Sequence, residues 1–199
     1  FVPLLRGLTH PRDSSLKLAG EAAGDFANPA PSALTGRVQC AGVVWSSPEW
    51  PAPLTGCRLD AQLSSRTLVV DKLQGAVAGM PVEFKGTVAG NLLAGEVGQI
   101  DLSWTAIGTA EGLMSLVPPS ADPAKPLPKL AGNLTGQGSL RIVDPMRGTI
   151  DEVLQRSTIS GGLMMQGGSI NDPSLPGPME ELNGRIEFSL GSLNFNRLA

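Results

Sequence analysis

Residues able to do chemistry are few in this chain and badly spaced for it. His10 is the only histidine. It lies in an opening segment without clear periodicity, and one imidazole neither forms a metal site nor acts as a general base without partners. Serines are plentiful, yet no Gly-x-Ser-x-Gly elbow is present, and no Gly-x-Gly-x-x-Gly or Walker sequence occupies a strand-to-helix setting. The adjacent carboxylates Asp151-Glu152 and Glu180-Glu181 are not placed by adjacency on two sides of a substrate, and the first pair suits a helix N-terminus. Gly167-Gly168 is read as turn geometry rather than a phosphate cradle. Catalytic residues, metal and cofactor are all expected to be absent.

The cysteines offer a different chemistry. If residues 45–52 form a hairpin loop, residues whose numbers add to 97 face each other, which sets Val38 against Leu59 and Cys40 against Cys57. Two readings stay open. The thiols are small buried hydrophobes, or in an oxidising compartment they close a disulfide.

The elements that must position these residues repeat. Gly36-Arg37-Val38-Gln39-Cys40-Ala41-Gly42 aligns with Gly161-Gly162-Leu163-Met164-Met165-Gln166-Gly167, 125 residues later, and Pro48, Pro51 and Pro53 align with Pro173, Pro176 and Pro178. Leu54-Thr55-Gly56 is matched to Leu182-Asn183-Gly184 after three extra residues, and Lys17-Leu18-Ala19-Gly20 recurs as Lys129-Leu130-Ala131-Gly132. Such a repeat keeps turn residues and apolar spacing but no reactive group, which favours a surface or groove over a catalytic pocket.

Period-2 alternation dominates. Leu59, Ala61 and Leu63 alternate with polar residues, as do Leu102 and Trp104, Ile186, Phe188 and Leu190, and Leu193 and Phe195. Weaker strands are read at Leu68 to Val70, Val82 to Val88 and Leu140 to Val143. With Gly or Pro at most joints, the expectation is an all-β, elongated, curved antiparallel sheet carrying one or two short helices. One helix is expected from Ile150 to Gln155, because Thr149 and Glu152 form a capping box; another candidate is Ala110 to Leu116. The organisation expected is a first β-repeat unit over 16–117, a Pro-rich connection over 118–129, and a second, incomplete unit over 130–199. Alternate residues should pool into one apolar surface: Leu59, Ala61, Leu63, Leu68, Val70, Val82, Phe84, Leu102, Trp104, Leu163, Met165, Ile186, Phe188, Leu190 and Phe195.

Composition narrows the partners. Aromatic residues make up 4% and charged residues 17%, against roughly 25% charged in ordinary domains. Net charge is -3, and no Lys/Arg cluster exceeds two residues, so nucleic acid is not an expected partner. No run of 18 apolar residues occurs. The opening Phe1-Val2-Pro3 is read as part of a larger protein whose anchor or export signal lies elsewhere.

The stretches Leu34-Thr35-Gly36-Arg37-Val38, Leu54-Thr55-Gly56, Leu68 to Gly75 and Val82 to Val88 together resemble the C-terminal repeat region of the AsmA-like proteins of the bacterial envelope, the group that takes in TamB- and YhdP-type relatives. The likeness covers residues 16–105 and 129–199, by cadence rather than by an invariant motif. It implies a periplasmic, inner-membrane-anchored protein whose apolar groove shields phospholipid acyl chains between the two membranes, with other envelope proteins as further partners. Two rivals stand beside this reading. One is a structural or adhesive β-repeat domain with a closed core; the other is a hydrolase using a scattered carboxylate.

Overall fold

The computed structural model describes residues 8–9, 14–25, 28–46, 52–117, 127–172, 174–189 and 192–196. Its strands are β1 (Leu8–Thr9), β2 (Ser15–Asp25), β3 (Asn28–Trp45), β4 (Leu54–Ser64), β5 (Thr67–Val77), β6 (Met80–Ala89), β7 (Gln99–Thr109), β8 (Lys129–Val143), β9 (Thr158–Asn171), β10 (Met179–Ser189) and β11 (Ser192–Asn196). All belong to one open antiparallel sheet in which β3 to β11 follow chain order, while β1 and β2 both pair with β3. The all-β, curved-sheet expectation holds. Each strand offers one apolar face, and alternating polar residues keep the other in water.

Both expected helices are present, as α1 (Ala110–Met114) and α2 (Ile150–Arg156). The capping box closes as read: the Thr149 N–H donates to Glu152 Oε2 at 2.9 Å, and the Glu152 N–H donates to Thr149 Oγ1 at 3.4 Å. Residues 118–126 of the Pro-rich connection lie outside the described residues. On either side of it the sheet is continuous, since β8 pairs with β7 from Gln99↔Val143 to Thr109↔Asn133 and with β9 on its other edge.

The repeat is a repeated hairpin. Strand β4 at 54–64 and β10 at 179–189 are offset by 125, and so are the starts of β5 and β11 at 67 and 192. The register carries over pair by pair: Val38↔Ala61 becomes Leu163↔Ile186, and Val43↔Cys57 becomes Gly168↔Leu182. The three-residue insertion expected after Pro178 is therefore corrected, because the offset never changes. What the two hairpins share near Gly56 is a backbone state: Gly56 has φ 61° and its counterpart Glu181 has φ 57°. Likewise Gly42 and Gly167 have φ 72° and 58°, and each marks a register shift, so the Gly167-Gly168 pair belongs to a β-bulge inside a strand rather than to a turn. The recurring Lys-Leu-Ala-Gly tetrad is also corrected. Gly20 faces Gly36 and Gly138 faces Gly161, so the counterpart of Lys17-Leu18-Ala19-Gly20 is Thr135-Gly136-Gln137-Gly138, six residues beyond the identical letters.

Most of the buried apolar residues form three clusters towards the strand ends, while Ala61 and Val70 are buried outside them. Leu92 and Val97, from the β6–β7 connection, pack on Leu63 and Val88. That connection is held by a 3-10 turn at Leu92–Ala94, capped by Asn91 and closed by left-handed Gly95. At the opposite ends, α1 sets Ala110 and Leu113 against Leu134, Met165 and Leu182, while Val43, Leu54 and Cys57 pack with Trp45, Val77 and Val82.

Candidate functional site: the apolar face and its aromatic row

Apart from Leu190 and Phe195, every residue read from the sequence as part of the apolar surface falls on one face of the sheet. Tracing partners across the strands gives rows. One runs Ala61↔Val70↔Gly86↔Leu102↔Leu140. A second holds Val82↔Ala106↔Gly136↔Leu163↔Ile186. Leu63↔Leu68 and Leu134↔Met165 extend the same face towards the two ends. Leu190 lies outside the described residues. Phe195 stands opposite Ile186 in the β10–β11 register. No charged residue occupies these rows; the ion pairs Arg37–Asp60, Lys85–Glu83 and Arg185–Glu187 form on the other face. The Arg37 guanidinium, donating to Asp60, holds that carboxyl below the usual range, with the Coulombic attraction adding to it.

The central row is Leu59↔Leu73↔Phe84↔Trp104↔Gly138↔Gly161↔Phe188. It collects three of the aromatic side chains in a line across the sheet. Trp104 on β7 and Phe188 on β10 stack, with ring centroids 5.9 Å apart and planes at 21°. Three inter-strand steps of about 4.8 Å would set their backbones about 14 Å apart in a flat sheet. The rings meet because the two strands between them carry glycine. A Cβ on Gly138 would lie 2.7 Å from Trp104 Nε1, and one on Gly161 would lie 2.6 Å from Trp104 Cζ2 and 2.7 Å from Phe188 Cζ. These glycines are a bare floor under the ring pair. By sequence alone glycine reads chiefly as punctuation between strands; the signal for this role is two small residues in register across neighbouring strands.

The middle of this face is lined but not sealed. Leu59, Phe84, Leu102, Trp104, Leu163, Ile186 and Phe188 are all only partly buried. Among the described residues, the substantial contacts of each strand are with its sheet neighbours; α1 covers only the end of the face at Leu134, Met165 and Leu182, and α2 lies against β8. A facing second sheet of the kind found in a sandwich is not seen among them.

The remaining chemistry does not converge. His10 lies outside the described residues. Glu152 serves the helix cap, and Glu180 and Glu181 are exposed on β10. Among the described residues no group of three His, Cys, Asp or Glu could hold a metal ion. The cysteine register is corrected, by two residues at Cys40 and by three at Cys57. Cys40 faces Leu59, and Cys57 faces Val43, because Trp45 still pairs with Leu54 and the loop sits later than assumed. The thiols share the apolar face as diagonal neighbours and are free. Burial pushes both upward in pKa, and Cys57 Sγ donates to the Leu54 carbonyl at 3.3 Å.

No protein-family model, curated protein or solved structure matches this chain.

Proposed function

We propose that this chain is a non-catalytic lipid-handling module whose apolar face shields phospholipid acyl chains. The cadence resembling AsmA-like proteins supports a periplasmic setting for that activity, within an inner-membrane-anchored protein that supports assembly of the outer membrane. One observation carries the reading: a single sheet presents a continuous, uncharged apolar face whose central residues are only partly buried, with no second layer across them among the described residues. An exposed apolar surface of this extent marks a binding site more often than an idle one. An acyl chain laid on it gains about 0.8 kcal/mol for each CH₂ removed from water. Nothing on the face supplies a partner for a charge, which suits the hydrocarbon part of a lipid and leaves the headgroup in solvent.

The test compares the wild-type protein with Leu102→Asp and Phe188→Asp, each purified from cells and examined by native mass spectrometry and circular dichroism. The wild type should carry phospholipid. The variants should fold, because an open face lets the new carboxylate stay hydrated, and should lose the lipid. Wild-type protein free of lipid, together with variants that unfold, would support a structural β-repeat domain with a closed core instead.

A further inference from the structure

Strand β2 pairs with β3 along one edge, and among the described residues its other edge carries no strand. Its counterpart in the repeat is differently placed. Strand β8 stands to β9 as β2 stands to β3, with Gly138↔Gly161 matching Gly20↔Gly36, yet β8 is paired on both edges. The free edge is eleven residues long and presents Leu16 and Leu18 at 64% and 69% exposure, both on the apolar face. An edge of this kind is a template for another strand.

The sequence of β2 says which strand fits. Turned antiparallel against itself with residues whose numbers add to 38 in opposition, it sets Lys17 against Glu21 twice, once on each side of a twofold axis through Ala19. On the apolar face the same register sets Leu18 against Gly20 and Leu16 against Ala22, so each large side chain lies over a small one. Registers two residues away in either direction oppose no unlike charges; the one adding to 34 sets Lys17 against Lys17, and the one adding to 42 sets Glu21 against Glu21 on the axis and brings Lys17 to the Asp25 position only across the register shift between Ala23 and Asp25. Lys17 and Glu21 are exposed on the polar face, where cross-strand pairs of opposite charge favour a register and like pairs oppose it. We propose that β2 is a self-complementary docking edge: two copies of the chain join through antiparallel β2–β2 pairing about a twofold axis at Ala19, making one sheet whose apolar face continues from one copy into the other. Closed twofold symmetry uses up both free β2 edges, so the contact ends at a dimer.

Charge reversal tests this, because the variants change exposed residues of the edge and leave the apolar rows intact. Sedimentation equilibrium of the wild type should show a dimer. Lys17→Glu and Glu21→Lys each place like charges opposite one another at both sites, and each should weaken the dimer about tenfold or more. The double variant, Lys17→Glu with Glu21→Lys, restores both pairs in reverse and should recover wild-type association. Ala19→Cys should give a cross-linked dimer on mild oxidation, since two residues facing each other across an antiparallel pair fall within disulfide reach. A monomeric wild type, single variants that associate like the wild type, or a double variant as weak as the singles would each overturn the proposal.

Discussion

Replacing Gly138 by alanine examines the tightest point of the sheet. The added Cβ would lie 2.2 Å from the Ser160 carbonyl oxygen, 2.7 Å from Gly161 Cα and 2.7 Å from Trp104 Nε1. The first two are backbone atoms of the neighbouring strand, so a rotamer change cannot relieve the contact and β8 must move away from β9. Overpacking of this kind costs about 1–3 kcal/mol. Displacing Trp104 from Phe188 forfeits a further ~0.5–1.5 kcal/mol. The alanine returns about 0.4–1 kcal/mol by restricting the unfolded chain, leaving a net loss near 2 kcal/mol. Equilibrium urea unfolding should show this as a lower midpoint at unchanged slope. Two controls give the result its meaning. At Gly20 a Cβ would lie 2.4 Å from the Thr35 carbonyl oxygen, but β2 is an edge strand with room to shift, so Gly20→Ala should cost less. At Gly177 nothing lies within 4 Å, and alanine there should be neutral or mildly stabilising. Gly138→Ala as stable as the wild type would refute the Gly138↔Gly161 register and the ring pair built over it.

Glu181 occupies a left-handed backbone state that its counterpart fills with Gly56, so Glu181→Gly should raise the urea midpoint by the equivalent of about 1 kcal/mol, while Gly56→Glu should lower it. The buried thiols make a pH prediction. Their pKa values are raised in the folded state, chiefly by desolvation, so their contribution to stability is complete below the unfolded thiol pKa of about 8.5 and falls as pH rises through the folded values. Unfolding free energies measured across that interval should decline, and Cys40→Ala with Cys57→Ala should flatten the decline.

The sequence made the faces legible and the phase of pairing less so. Alternation at Leu59, Ala61 and Leu63 or at Ile186 and Phe188 names the apolar face, because a strand has only two faces and the polar residues take the wet one. Register is a different quantity. It depends on where the β3–β4 loop is centred and on bulges at Gly42 and Gly56 that each insert one residue. A loop centre displaced by one residue moves each partner by two and so keeps every residue on its correct face; the bulge at Gly42 adds one more and sets Cys57 opposite Val43 rather than Cys40. The repeat misled in the same way. Identical letters drew the alignment to Leu182-Asn183-Gly184 and to Lys129-Leu130-Ala131-Gly132, whereas the folded chain preserves backbone conformation and pairing, which Glu181 and Gly56 share without sharing a side chain. The ring pair was out of reach of the alternation pattern, since it joins strands three apart and depends on two glycines between them.

The central claim is that an acyl chain lies on this face, and Trp104 is placed to report it. The chain has three tryptophans, so Trp45→Phe with Trp50→Phe leaves Trp104 as the sole emitter in the middle of the aromatic row. Phosphatidylcholine brominated along its acyl chains, titrated into that variant, should quench the Trp104 emission in a saturable manner, because bromine quenches at contact and the ring is only partly buried among the lining residues. Unbrominated lipid should compete the quenching away. Emission that stays constant through the titration would contradict the account.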